Sequence, residues 1–250
     1  MYYVKMTFTP FTNVEITENN VEDMDMSGDI WGYLGDLRRF GQIYKDNMLI
    51  YSGCNFQAFF FMPELDSLDE KYCSNHVIKG HEEIKKEYAI TTEVLGQNAV
   101  VNELCTCRDP SWYFLYTRRN YAISPIVCGD CFKMIPAYKL FHVELPPNCQ
   151  SELGWQMDYE LIDELWFLSS FDHFTYYQMS DPESQLSRSG REICAAYEKE
   201  LDKPFYYFLF YYDEFEEDRK LCPICRSEWM LKENIGILTC KCDKCRLVSC

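Results

Sequence analysis

Near the end of the chain two cysteine pairs, Cys222-Pro-Ile-Cys225 and Cys242-Asp-Lys-Cys245, stand 16 residues apart. Two cysteines separated by two residues let one tight turn aim both thiolates at a single ion about 2.3 Å away, and a second such turn completes a tetrahedron. This spacing constrains the fold strongly, because the chain on either side of each pair must close on one point. It predicts a zinc ribbon, with Trp229, Met230, Leu231, Ile235, Ile237 and Leu238 supplying the strands between the knuckles. Cys240 and Cys250 are spare. Cys240 is an alternative to Cys242 as a ligand, but the two-residue spacing to Cys245 favours Cys242.

A second cluster lies in mid-chain: Cys105-Thr-Cys107, an interval of 20 residues, then Cys128-Gly-Asp-Cys131. One half has the usual knuckle spacing, with Gly129 suited to a tight turn. The other half, with a single intervening residue, is less common for zinc. Four thiolates leave no open position for water or substrate, so both clusters read as structural zinc sites and not as catalytic ones. Cys54, Cys73, Cys149 and Cys194 stand alone and read as buried free thiols.

Reading 14 cysteines as ligands and thiols presumes a reducing compartment, where disulfides are rare. The N-terminal stretch Met-Tyr-Tyr-Val-Lys-Met-Thr-Phe alternates like a strand and lacks the pattern of a secretory signal. The longest apolar runs, such as Phe205 to Tyr212, reach about eight residues against the roughly 20 that span a bilayer. The expectation is a cytoplasmic protein with no membrane segment.

With 47% hydrophobic and 16% aromatic residues, a chain of 250 can bury enough apolar surface to fold. The element pattern predicts an α+β protein: an N-terminal α+β unit over 1–100, a central zinc-stapled α+β region over 101–218, and a C-terminal zinc ribbon over 219–250. In the first unit, strands are expected at Tyr2 to Phe8, Met48 to Ser52, Phe56 to Met62 and Ile90 to Val94. Helices are expected at Ile30 to Phe40, capped by Asp29, and around Glu82 to Tyr88. That order is compatible with a split β-α-β sandwich. Further on, Trp112 to Thr117 reads as a strand. Trp155, Tyr159, Ile162 and Trp166 share one helix face, and Leu186, Ile193, Cys194, Tyr197 and Leu201 share another. Lys203-Pro204 closes the latter helix, and Phe205 to Tyr212, apolar on both faces, reads as a central strand.

Several blocks together carry a resemblance: Ser124 to Phe132, Trp155-Gln156, Leu186 to Cys194, Lys203 to Phe210, Cys222 to Cys225 and Lys241 to Leu247. In order and spacing, from about Cys105 to Leu247, they resemble an uncharacterised bacterial family described as zinc-ribbon proteins and candidate nucleic-acid binders. The resemblance implies zinc at Cys222, Cys225, Cys242 and Cys245, and makes Cys105, Cys107, Cys128 and Cys131 a family feature. One departure is Arg226, where zinc knuckles often carry glycine directly after the second cysteine. If that position needs a positive φ, arginine costs about 1 kcal/mol there.

Charge divides the functional readings. The formal charge is -16, which repels phosphate and steers basic proteins. Asp213, Glu214, Glu216, Glu217 and Asp218 form a candidate partner-binding tract, and an immunity protein neutralising a basic nuclease toxin is one concrete form of that reading. The alternative is a nucleic-acid-binding regulator that uses the ribbon. From Arg219 to Cys250 there are seven Lys and Arg against three acids, and Trp229 could stack a base or fill the ribbon core. An enzyme is not expected. His76, His81, His142 and His173 are scattered, Cys54 and Cys194 lack an identifiable catalytic partner, and no phosphate loop or nucleophile elbow is present.

Overall fold

The computed structural model describes residues 1–12, 26–98, 104–119, 123–140, 145, 149–212 and 220–250. The chain divides into two compact units, one made of 1–102 with 136–142, the other of 103–135 with 143–250.

The first unit runs β1 (Tyr2–Pro10), α1 (Met26–Arg39), β2 (Tyr44–Ser52), β3 (Asn55–Met62), α2 (Asn75–Ile84) and β4 (Tyr88–Gln97). Its four strands lie in the order β2-β3-β1-β4, with every pairing antiparallel. This is the split β-α-β sandwich that the element order suggested. Alternation decides which face is covered: Val4, Met6 and Phe8 of β1 and Phe56, Ala58, Phe60 and Met62 of β3 are buried. They form one core with Ile30, Leu34 and Leu37 of α1 and with Val77 and Ile84 of α2.

Three local expectations are corrected. Helix α1 starts at Met26, so Asp29 lies in its first turn, where a carboxylate favours the helix dipole, and does not cap it. Helix α2 starts after Ser74, whose hydroxyl accepts from the Val77 N–H, and ends at Ile84; the charged run around Glu82 had pointed too far along the chain. Tyr88 is therefore a strand residue, buried against Phe8 and Phe56. Cys54 is exposed, not buried, because it sits in the two-residue turn between β2 and β3, where Gly53 takes φ +66°.

The second unit contains β5 (Tyr113–Leu115), β6 (Ile126–Cys128), α3 (Glu152–Phe167), α4 (Asp172–Ser180), α5 (Gln185–Leu201), β7 (Phe205–Phe208), β8 (Met230–Ile235), β9 (Leu238–Cys242) and β10 (Leu247–Ser249). They build a mixed sheet in the order β6-β5-β7-β10-β9-β8. The aromatic strand β7 is interior, parallel to β5 on one side and to β10 on the other, and all four of its residues are buried. A strand with both edges paired and both faces covered reads as a continuous apolar run, as this one does. The C-terminal hairpin thus belongs to the same sheet as the middle of the chain.

The two faces of β7 are filled differently. Phe205 packs on Tyr197 of α5, and Tyr207 meets Trp155 of α3 edge-on. Tyr206 and Phe208, on the other face, join Phe114, Val127, Leu238 and Val248, with Trp112, Phe132 and Leu231 at the margin. Close approach of α5 depends on Gly190: a Cβ there would stand 2.3 Å from the Tyr207 ring and 2.8 Å from Nε1 of Trp155. The Trp155 indole N–H is committed to the Leu186 carbonyl at 3.0 Å and cannot yield freely. Gly190→Ala is therefore expected to cost about 1–3 kcal/mol through overpacking, read as a melting temperature several degrees lower by circular dichroism. An unchanged melt would mean that α5 can back away from the sheet.

Candidate metal centres and the surface beside them

The thiols of Cys105, Cys107, Cys128 and Cys131 lie within 4.8 Å of one another, and so do those of Cys222, Cys225, Cys242 and Cys245. The sulfurs of Cys131 and Cys105 stand 3.5 Å apart and those of Cys225 and Cys242 3.6 Å. Four sulfurs around an ion at about 2.3 Å stand about 3.8 Å apart along the edges of the tetrahedron. Both clusters could hold a tetrahedral metal ion, and the spare Cys240 is outside the second tetrad.

The two knuckles at Cys128 and Cys222 are built alike. The Cys128 N–H donates to the Lys133 carbonyl and the Phe132 N–H to the Cys128 carbonyl, each at 2.9 Å. In the same register Cys222 donates to Ser227 at 2.8 Å and Arg226 to Cys222 at 2.9 Å. The residue after the second cysteine is left-handed in every two-residue knuckle: Phe132 at φ +59°, Arg226 at +58° and Arg246 at +53°. The positive φ at Arg226 is thus present. Glycine is used for a different purpose at Gly129, which is not left-handed: a Cβ there would stand 2.1 Å from the Trp112 ring, so the indole occupies that space. The less usual half of the first cluster is tied in by backbone, with the Cys105 N–H donating to the Met134 carbonyl at 2.8 Å and the Cys107 N–H to Cys105 Sγ at 3.4 Å.

Electrostatics at the sulfurs differ by position. The Ser227 hydroxyl, 2.9 Å away, and the Ser227 backbone pull the Cys225 thiol down to about 6. Burial, then the neighbouring thiols, push Cys245 up to about 12, and burial likewise pushes Cys105 up. Thiols raised in this way, Cys105 and Cys245 among them, keep their protons until a cation arrives, so metal uptake releases them.

The clusters are wired into the sheet by charged side chains. Arg246 places Nε and Nη2 on the Glu198 carboxylate at 2.8–3.0 Å, and its guanidinium lies over Tyr206. Lys241 lies over the rings of Tyr206 and Trp112 and pairs with Asp243, which also accepts from the Tyr206 hydroxyl at 2.6 Å. Phe132 of the first knuckle abuts Gly236 at the β8–β9 turn, where a Cβ would come within 2.8 Å of the ring. Trp229 is buried and fills the ribbon core, so it is not placed to stack a base. Among the single cysteines, Cys194 is buried and donates its thiol to the Tyr206 carbonyl at 3.3 Å.

The acidic tract Asp213, Glu214, Glu216, Glu217 and Asp218 lies outside the described residues. The structure adds a surface that periodicity alone did not single out. Met157, Leu161 and Leu168 lie along the solvent side of α3 and its end, and Phe171, Phe174 and Tyr177 along that of α4, all exposed. Leu161 is 65% and Phe171 75% accessible. Phe171 and Ser169 in the connecting turn both hold positive φ, a conformation costing of order 1 kcal/mol or more for such residues. The available signal was that Met157, Leu161 and Leu168 make a second apolar stripe, spaced by four and seven, beside the buried stripe of Trp155 and Tyr159.

Residues 107–210 match a domain of unknown function (DUF2310) and residues 212–250 a second one (DUF8594). An uncharacterized protein of Haemophilus influenzae is 28% identical over 261 positions, covering 100% of this chain and 97% of its own. Another uncharacterized protein of that organism is 32% identical over 163 positions, covering 63% of this chain and 79% of its own. No solved structure matches. Among the described residues, no helix is long and apolar enough to cross a membrane.

Elemental analysis of protein purified without chelators is expected to find about two tetrahedral-site metal ions per chain, falling by one, with a lower melting temperature, in Cys222→Ser; unchanged metal content would remove the second cluster as a metal site. Arg226→Gly is expected to relieve left-handed strain and stabilise the metal-loaded protein by up to about 1 kcal/mol, seen as slower loss of metal to a competing chelator.

Proposed function

The chain belongs to the family marked by the DUF2310 domain of unknown function, and from that premise we propose that it is a non-catalytic binding protein, held by two zinc ions, whose α3–α4 surface takes a basic protein partner. Zinc suits both clusters because four thiolates in a tetrahedron match its ligand and geometry preferences. In such closed sites the ion secures structure and offers no position to a substrate.

The observation that carries the reading is the exposed apolar surface of α3 and α4. Contiguous exposed apolar residues with a polar margin mark interaction sites in soluble proteins; Asp158 and Asp172 lie on the same two helices, whereas Asp163 and Glu164 there are engaged by Arg119. An apolar centre with an acidic margin fits a partner whose own apolar contact is ringed by Lys and Arg. The net charge of -16 would speed that encounter at low salt. A basic nuclease toxin neutralised by this chain is one concrete form of such a pair. The ribbon reading has less behind it: Trp229 is buried, and Lys241 and Arg246 are spent on Asp243 and Glu198.

The test is cross-linking in cells that produce the protein, followed by quantitative mass spectrometry on wild type and on Leu161→Glu/Phe174→Glu. A basic protein recovered with wild type is expected to fall at least about tenfold with the variant, as for loss of central interface anchors, while the melting temperature holds. The same proteins from both forms, or a nucleic acid that falls with the variant in place of any protein, would overturn the proposal.

A further inference from the structure

The first unit leaves one face of its sheet uncovered by α1 and α2, and that face is aromatic. Because side chains alternate, Tyr3 of β1 and Phe59 and Phe61 of β3 point away from the core formed by Val4, Phe60 and their neighbours. Register sets Tyr3 opposite Phe61, and Lys5 opposite Phe59. The Tyr3 ring is 5.0 Å from Phe61 at 42° and 6.2 Å from Phe59 at 30°, so the three rings form a shallow platform and not the upright walls of an ammonium cage.

Over one end of the platform lies a cavity of about 360 Å³, lined by Tyr3, Phe61, Leu95, Gly96, Gln97 and Asn98. Its wall is shaped by a β-bulge: Tyr3 pairs with Gly96 but Val4 pairs with Val94, leaving Leu95 as the extra residue. Gly96, paired with Tyr3, adds no side chain there, and the place where its Cβ would stand is open. Gln97 and Asn98 add carboxamides, which can donate to and accept from the edge of a planar ring. An aromatic floor with amide groups at its side is the chemistry that recognises an unpaired nucleobase. A four-stranded sheet bearing one aromatic on its first strand and two, spaced by two, on its third is a known arrangement for stacking bases of single-stranded RNA.

We propose that this cavity binds a nucleobase, stacked on Tyr3 and Phe61, with Phe59 available to a second base. The site is built from residues of the first unit alone. The charge of the unit makes the proposal specific. It carries nine Lys and Arg against sixteen Asp and Glu, and Lys5 is paired with Glu93 at 2.5 Å. Phosphate contacts therefore contribute little, and binding should depend only weakly on salt, unlike that of a basic groove.

The experiment is a titration of the full-length, metal-loaded chain with nucleoside monophosphates, short single-stranded RNA and DNA of mixed sequence, and the matching duplexes, followed by anisotropy or NMR at two salt concentrations. Binding of unpaired bases but not of duplex is expected, lost about tenfold or more in Tyr3→Ala and Phe61→Ala and retained in Tyr3→Trp, which keeps the stack. Binding of mononucleotides alone would identify a free nucleotide as the ligand, and binding of strands alone a nucleic acid; either supports the site. Overturning results are no binding of any probe, equal binding of duplex, a steep salt dependence, or loss on changing Cys222 with no effect of Tyr3→Ala. A dimer of the free protein that dissociates in Tyr3→Ala would also overturn it, since a second copy would then occupy the platform.

Discussion

The second unit depends on the pairing of β10 with β7. Its strands are very short: β5, β6 and β10 have three residues each and β7 four. Strands of that length form few backbone bonds, each worth only about 1 kcal/mol net, and would not hold a sheet together. The pairing is made by the Tyr207 N–H donating to the Arg246 carbonyl and the Leu209 N–H to Val248, both at 2.8 Å. Arg246 is also the left-handed residue that closes the last knuckle and the partner of Glu198 on α5. One residue thus links a cysteine cluster, the sheet centre and a helix, and the constraint supplied by the cysteines stands in for strand length.

The same logic explains why the aromatic content is concentrated where it is. A thin sheet needs bulky filling on both faces, and β7 supplies it by alternating Phe205 and Tyr207 toward the helices with Tyr206 and Phe208 toward the hairpin and first knuckle. Lys241 and Arg246 of the ribbon are placed over Tyr206. Lys220, Arg226, Lys232 and Lys244 of the same stretch stay exposed. The apolar residues that α3 and α4 turn to solvent are exposed, and the aromatic side of the first unit's sheet is half-buried.

The division between residues 210 and 212 that separates the two family matches is not a break in the structure. A strand from the second stretch, β10, lies between β9 and a strand of the first, β7. The two stretches share one sheet and one apolar cluster, with Leu238 and Val248 packed among Phe114, Val127 and Phe208. Phe132 against Gly236 joins the first cysteine cluster to the hairpin of the second.

Much of this was legible in the amino-acid sequence because it is local. A two-residue cysteine spacing dictates a knuckle whatever surrounds it, alternation in β1 separates its buried from its outward side chains, and the aromatic run after Lys203-Pro204 suits an interior strand, although only its first half, Phe205 to Phe208, forms one. Helix ends were less legible: α2 is set by a single serine cap at Ser74, and α4 follows a turn held by left-handed Ser169 and Phe171, residue types that do not announce that conformation. Only the tertiary structure decided that Gly129 makes room for Trp112, that Arg246 meets Glu198 across 48 residues, and that Leu161 and Phe171 stay in solvent. Those outcomes depend on which distant surfaces meet, and packing between residues far apart in the chain leaves no spacing in the sequence by which to read it.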